Sequence, residues 1–380
     1  MRFAIVGCGY VADFYLSTLG NHSQLELGGV YDRNTSRSTQ FSEYHKVRRY
    51  ESFEEILNDS TIDLVANLTN PRSHYEVSMA ALQAGKHVYS EKPLAMSIGE
   101  ATALAAFAKT KNLRLASAPC NVLGESAQTI WKGLRESRIG TPRLVYAEID
   151  DGAVPFLNYR SWISESGAPW PYQDEFEVGC TLEHAGYYLG MLTAFFGPVA
   201  RVVSFSRQLL EDKGVPLTND APDFAVGCLE FKSGVAARLT CSIFAPHDHR
   251  LRIFGDKGIL STNACWHYGA AVYLTQRTSL RMRFDKFPRL ASLVGLGPEK
   301  LRLVRSAHFK SGKGHNHMDF CRGIAEVADS LRENRACRLS ADWSLHVNEL
   351  ALVIQNPKEY GFCYDMKSSF EPMTPMSWAV

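Results

Sequence analysis

Short apolar runs alternate with helical stretches over the first 120 residues. Phe3 to Val6 reads as a short buried strand. Val11 to Leu19 has helical spacing and stops at Gly20, and Leu25 to Tyr31 is a second strand. Ser52-x-x-Glu55 is a capping box that opens a short helix. Leu64 to Leu68 is a third strand, and Ser73 to Ala84 is a helix with Gly85 as its stop. Val88 and Tyr89 lie in a fourth strand. Ser97-x-x-Glu100 caps an alanine-rich helix to about Lys111, and Leu113 to Ser117 is a last strand. Strand and helix in strict alternation predict a parallel, doubly wound sheet.

The rhythm changes after Pro119. A helix from about Glu125 to Arg138 ends at Gly140. Longer strands follow at Arg143–Ile149, Arg201–Ser206, Phe224–Phe231, Val235–Phe244 and Arg250–Phe254. Lys232-Ser233-Gly234 and Asp256-Lys257-Gly258 read as turns, the first joining two strands as a hairpin. Helices close the chain at about His317–Glu333 and Asp342–Gln355. The expected organisation is an α/β domain over residues 1–120 and an α+β domain over 121–380, the second built on a large, mainly antiparallel open sheet. Alternating apolar positions such as Val226, Cys228, Val235, Ala237 and Leu239 fit a sheet with a non-solvated side, so a homo-oligomer, dimer or tetramer, is expected.

Charge removes some functions. With 41 Lys and Arg against 40 Asp and Glu the net charge is +1, so there is no chain-wide basic field for nucleic acid. No run of about 18 apolar residues predicts a transmembrane helix, and the N-terminal apolar run reads as a strand rather than a signal peptide. Nine scattered cysteines without a CxxC point to reduced thiols and a cytoplasmic protein. Locally the balance differs. Arg277 to Lys313 carries ten Lys or Arg against Asp285 and Glu299, hence +8. This segment reads as a solvated insertion, a rim for an anionic substrate, or a patch for a membrane surface or partner.

Candidate chemistry begins at Gly7-Cys8-Gly9-Tyr10-Val11-Ala12, between a strand and a helix. That is the context a dinucleotide fingerprint needs: Gly7 for the tight turn, Gly9 for close approach of N–H groups to a pyrophosphate, Ala12 for helix packing. The helix N-terminus adds positive potential. Asp32, ending the second strand, suits the ribose hydroxyls and repels a 2′-phosphate, which favours NAD over NADP. Arg33 and Arg37 stack on adenine or, alternatively, pair with a 2′-phosphate. Thr69, Asn70, Pro71 and His74 follow the third strand, where ligands of open α/β sheets sit. Glu91 and Lys92 follow the fourth, and Asn121, just past the last strand, reaches toward the nicotinamide side.

Ser90-Glu91-Lys92-Pro93, preceded by Ala84-Gly85-Lys86-His87-Val88 and by Asn70-Pro71-x-x-His74, resembles the Gfo/Idh/MocA group, the relatives of glucose–fructose oxidoreductase and inositol dehydrogenase. Gly179–Gly197, Asp223–Phe231 and Ile253–Gly258 match its second domain more loosely. The resemblance implies a Rossmann domain, a large open sheet, and hydride transfer between nicotinamide and a ring carbon of a sugar, cyclitol or nucleotide sugar. It places Lys92 at the reacting hydroxyl, where a cation stabilises alkoxide charge and relays a proton. Glu91 then orients the cofactor amide or the loop. The family's Asp-x-Gly-x-His helix reads here Glu183-His184-Ala185-Gly186-Tyr187, so Glu183 takes the Asp place and Tyr187 the His place. Lys92 and Tyr187 are expected to act as the relay, with Glu183 fixing geometry, His184 as the alternative base, and the lysine cation lowering the phenol pKa. The resemblance also leaves open a redox-neutral epimerase or eliminase with recycled cofactor, and a cofactor-binding regulator without turnover.

Other clusters carry less. His247-Asp248-His249 and His315-Asn316-His317 lack zinc-site spacing and further ligands, so no metal is expected. Trp162, Trp170, Tyr172, Asp174 and Glu175 suit a hydroxyl-rich sugar or simply a packed loop.

Overall fold

The computed structural model describes residues 1–219, 221–284, 286–305 and 317–380. Five strands form a parallel sheet in the order β2-β1-β3-β4-β5: β1 (Arg2–Val6), β2 (Glu26–Tyr31), β3 (Leu64–Asn67), β4 (His87–Ser90) and β5 (Leu115–Ser117). Between them run α1 (Ala12–Leu19), α2 (Thr35–His45), α3 (Phe53–Asn58), α4 (His74–Gln83) and α5 (Ile98–Thr110). Both expected capping serines work: Ser52 Oγ accepts from Glu55 N and Ser97 Oγ from Glu100 N, each at 3.2 Å. The sheet is apolar on both faces because helices cover both, as a parallel sheet requires. α2 has little apolar periodicity, buries only Ser38 and Phe41, and was not anticipated.

The rest of the chain builds a nine-stranded sheet in the order β13-β12-β11-β10-β6-β9-β8-β7-β14. Its strands are β6 (Pro142–Asp150), β7 (Val199–Arg207), β8 (Phe224–Phe231), β9 (Ala236–Ser242), β10 (Leu251–Gly255), β11 (Gly258–Thr262), β12 (Val272–Gln276), β13 (Glu299–Lys300) and β14 (Cys363–Asp365). All neighbours are antiparallel except β6 and β9. The two expected turns join β8 to β9 and β10 to β11. The expected set of alternating apolar positions mixes the two faces. Gly227 pairs with Leu239 and Leu229 with Ala237 on the buried face. Val226 pairs with Thr240 and Cys228 with Arg238 on the other, because a hairpin turn fixes register and period two does the rest.

Helices cover the buried face: α6 (Glu125–Arg135), α7 (Tyr172–Val178), a π-helical turn (Thr181–Ala185) continued by α8 (Gly186–Phe196), and α12 (Ala341–Gln355), while α11 (Arg322–Arg332) packs on β4 and β5 of the parallel sheet. α12 joins both halves of the chain. Its Ser344 Oγ accepts from Ser117 N (3.1 Å), and Asn348 receives Ala95 N (3.3 Å) and donates to Ala95 O (3.1 Å). Trp343 Nε1 donates to Thr193 Oγ1 of α8 (3.0 Å). A helix that buries residues all round is a core element, and here it fixes how the ends of the parallel sheet meet α8. Short helices at Ser279–Arg283 (α9) and Pro288–Leu293 (α10), together with β13 and the loops around them, carry the described part of the basic segment, and Pro357–Tyr360 (α13) precedes β14. None of the described helices is long and apolar enough to cross a membrane.

Candidate active site

The strand-end crevice is shaped for a dinucleotide. Gly7 has φ +99°, and a Cβ there would stand 2.5 Å from Leu68 O. Only glycine takes that backbone and that approach. A Cβ on Gly9 would meet nothing within 4 Å, so open space faces the first turn of α1. Tyr10 and Val11 line that turn half-buried. Asp32 Oδ2 accepts from Cys8 N and Oδ1 from Asn34 N, both at 2.8 Å, which ties the glycine turn to the end of β2. Arg33 stays exposed. Arg37 is not free for adenine: its Nε donates to Cys8 O (2.6 Å) and its Nη1 to Ser166 O (2.8 Å).

Several residues expected to touch the cofactor also hold the loops that frame its crevice. His74 is fully buried, with Nδ1 2.6 Å from Pro93 O and Nε2 2.9 Å from Thr69 O. Its ring stands between the loops after β3 and β4, and the single N–H of the imidazole that burial keeps neutral donates to one of the two carbonyls. Thr69 Oγ1 donates to Asn67 Oδ1 (2.6 Å). Asn70 Nδ2 donates to Asp174 Oδ2 (2.5 Å), while Pro71 starts the turn into α4. Glu91 accepts from Tyr15 Oη (2.7 Å) and from Lys92 N (3.1 Å), so it orients the loop. Asn121 Nδ2 donates to Tyr187 O and Cys265 O, each at 3.0 Å, and pins the far wall. Its Oδ1 is buried without a partner.

Lys92, after β4 and before a cis bond to Pro93, points to the second half of the chain. Its Nζ donates to Glu183 Oε2 in a tight ion pair. Burial opposes the lysine charge, but Glu183, Tyr187, Glu175 and Glu91 outweigh it and push its pKa up. Burial lifts the Glu183 carboxyl to about 7 against the pull of Lys92. The expected lowering of the Tyr187 phenol pKa does not hold. Burial pushes it up, and Lys92 only partly offsets this. Tyr187 is therefore a neutral phenol.

His184 leaves this group. The π turn aims its ring at two carboxylates, Asp151 on Nδ1 and Glu175 on Nε2. They overcome burial and raise its pKa well above the usual range, so His184 is an imidazolium held in place rather than a base. Gln355 fixes the turn: Oε1 accepts from Leu182 N (3.1 Å) and Nε2 donates to Val178 O (2.8 Å). Gly179, φ +100°, allows this, since a Cβ would sit 2.6 Å from Gln355 Oε1.

Two neighbours, Asp151 and Trp266, escaped the sequence reading, and a third, His249, was weighed there only as a metal ligand. Asp151 directly follows β6, His249 Nε2 lies 2.6 Å from Asp151 Oδ1, and Trp266 packs on Tyr187 (ring centroids 5.5 Å) and His249 (4.7 Å). Trp266 Nε1 is buried without a partner. The only sequence signal was Asp150-Asp151-Gly152 at a strand end. Asp151 also gives His247 and His249 the third potential metal ligand that spacing alone did not supply. In the other histidine cluster, His315 and Asn316 lie outside the described residues, and His317 stacks on His267 at 3.9 Å. Trp162 and Trp170 pack on each other (4.9 Å) and Tyr172 on Tyr159 (5.2 Å), a packed loop. The basic segment makes its described contacts elsewhere: Arg138 with Glu299 (3.9 Å), Val304 N with Thr129 Oγ1 (3.1 Å) and Arg305 over Trp378 (5.5 Å).

The sequence matches the oxidoreductase family with an NAD-binding Rossmann fold over residues 1–118 and the GFO/IDH/MocA C-terminal domain over 127–261. The chain belongs to the Gfo/Idh/MocA family. It is similar to myo-inositol 2-dehydrogenase of Thermotoga maritima, 24% identical over 68% of this chain and 74% of that one. It is 30% identical to UDP-N-acetylglucosamine 3-dehydrogenase of Acidithiobacillus ferrooxidans over 39% of this chain, spanning under half (45%) of that relative. Among solved structures, an Agrobacterium radiobacter oxidoreductase in complex with NAD+, L-tartaric acid and magnesium superposes with a TM-score of 0.76 at 16% identity, covering 96% and 98% of the two chains. A 3-ketoreductase from Actinomadura kijaniata in complex with NADP gives 0.69 at 20%, covering 94% and 97%.

Proposed function

We propose that the protein is a dehydrogenase of a sugar, cyclitol or nucleotide sugar that uses NAD in preference to NADP. The observation that carries this is the meeting of Lys92 with Glu183 and Tyr187, beside two buried polar atoms without partners, Asn121 Oδ1 and Trp266 Nε1. Buried groups of that kind call for a polar ligand, and a polyol offers both donors and acceptors. The names of the inositol and nucleotide-sugar relatives support the substrate class. The Asp32 carboxylate beside the glycine turn supports NAD.

The residues of the chain divide the work. Gly7, Gly9, Tyr10, Val11, Asp32 and the turn at Thr69–Pro71 hold the cofactor, which supplies the hydride acceptor when bound. Lys92, held as an ammonium, sets a positive charge against the reacting oxygen, and the hydroxyl proton passes through its amine, which hands one of its own protons to the Glu183 carboxylate. Glu183 keeps the amine charged and aimed. Tyr187 donates a hydrogen bond from its neutral phenol to the same oxygen. His184 braces Asp151 and Glu175 behind them. Exposed Val203 and Phe205 on the open sheet face support a homo-oligomer.

A second reading has its own observation. Residues 164–177 are tied to both sides of the crevice, Ser166 to Asp13 and Arg37, Asp174 to Asn70, and Glu177 to Arg72. A crevice closed this way suits a cofactor retained through a redox-neutral reaction. A screen of sugars, cyclitols and UDP-sugars with both cofactors, followed at the absorbance of the reduced nicotinamide, tests the first reading. Turnover without net reduction, with cofactor co-purifying, would select the second. No turnover with any of them would leave a regulator.

A further inference from the structure

Beyond the Lys92 group lies a second constellation. Asp151, His247 and His249 offer ligand atoms that all lie within 4.8 Å of one another. They meet because of strand register. Asp150 and Asp248 exchange backbone hydrogen bonds (3.0 and 2.9 Å), which sets the end of β6 against the loop entering β10. The side chains of Asp151 and His249 are 6% and 3% exposed, while His247 faces out. We propose that Asp151, His247 and His249 form a site for one divalent transition-metal ion at the wall of the substrate pocket.

The ligand chemistry selects the ion class. Two imidazoles and one carboxylate suit zinc and its first-row neighbours, not calcium or magnesium, which prefer oxygen. Three protein ligands leave coordination positions open, as in catalytic rather than closed structural zinc sites. The surroundings supply orientation. Asp151 Oδ2 is braced by His184, which leaves Oδ1 for the ion, and His249 Nδ1 lies 3.6 Å from Cys265 Sγ. Trp266 walls the apolar side. With metal–ligand bonds of roughly 2.0–2.1 Å, two ligand atoms stand about 3.4 Å apart in a tetrahedral site. The 2.6 Å contact between Asp151 Oδ1 and His249 Nε2 must therefore open by under an ångström.

An ion there would take vicinal hydroxyls or a carboxylate of the substrate in its open positions, and so fix which ring carbon faces Lys92. That role rests on the dehydrogenase reading. Metal binding itself does not, so the test is a binding titration without turnover. Full-length protein is stripped with chelator and titrated with Zn2+ against a chromogenic competitor, with His247→Ala, Asp151→Asn and, as a control for the other histidine cluster, His315→Ala. His247 is exposed, so its removal leaves the core intact, and retained NADH fluorescence checks the fold of each variant. The expected result is one tight ion per chain, weakened at least tenfold in His247→Ala and Asp151→Asn and unchanged in His315→Ala. Absence of saturable binding overturns the proposal. So does equal affinity in wild type, His247→Ala and Asp151→Asn, which would assign the zinc to other groups such as the cysteines. A sugar screen that finds no substrate while zinc still binds at these residues would count against the dehydrogenase reading alone.

Discussion

Lys92 and Tyr187 face one reaction space from the end of β4 and from α8, and they are held there differently. The loop of Lys92 is fixed from nearby sequence: Glu91 N to Asn67 O at 2.8 Å, Glu91 to Tyr15, and His74 to Pro93 O. All of these partners fall in the first 93 residues. Tyr187 and Glu183 are set by partners far along the chain, Asn121 on Tyr187 O and Gln355 on Leu182 N. One half of the site is thus written as a compact motif and the other as a tertiary arrangement. The difference suggests that the first half serves any substrate, while the second adapts to one.

Breaking the local half should have the largest effect. Gly7→Val puts a branched side chain at φ +99°, where even a Cβ stands 2.5 Å from Leu68 O. NADH fluorescence titration should show no saturable binding, with secondary structure retained by circular dichroism. Near-normal affinity would mean that the cofactor does not lie on this turn. Breaking the second half should spare binding and cost rate. Tyr187→Phe should lower kcat by about 10²–10³, the worth of one hydrogen-bond donor to a developing oxyanion, with NADH affinity within twofold. His184→Ala, which removes a brace, should do less at any pH. A dead His184→Ala beside a normal Tyr187→Phe would exchange their roles.

The seating of α12 on the large sheet has a pH signature. His346 of α12 accepts from Val199 N (3.1 Å), and burial lowers its pKa to about 4. An imidazole buried neutral stabilises the fold fully above the unfolded value of about 6.5. That stabilisation is lost as pH falls toward 4, because the unfolded chain takes up the proton first. Urea denaturation should lose up to about 3 kcal/mol over that window. His346→Gln should flatten this part of the dependence, and an unchanged slope would refute it. The smallest effect concerns cofactor choice. Asp32→Ser should weaken NADH binding about tenfold, the scale of one lost charge-assisted hydrogen bond, and narrow the gap to NADPH. An unchanged preference would remove Asp32 from that role.

How much was legible in sequence follows the same division. The strands of the parallel sheet, the glycine turn and the Lys92 loop were readable because each is a short-range pattern of period, cap and turn. The pairing of Lys92 with Glu183 and Tyr187 was reached through the family resemblance and helical spacing. What failed was long-range. His184 is turned away by a π turn that spacing does not announce, and Asp151 lies 33 residues before it along the chain. His74, Glu91 and Asn121 were placed at the cofactor, yet their bonding groups go largely to the loops that frame it, because strand ends need their own backbone groups satisfied. The expected phenolate failed on magnitude: burial of Tyr187 exceeds the pull of one lysine that Glu183 already neutralises.

The central claim is that Lys92 supplies the charge and the proton path for the reacting oxygen. Lys92→Met keeps the length of the side chain and removes both. With the substrate selected by the screen, saturating cofactor and NADH affinity verified as unchanged, kcat should fall by about 10³, the scale of a lost transition-state charge contact, with little change in KM. A Lys92→Met enzyme that turns over within a few fold of wild type would contradict the account.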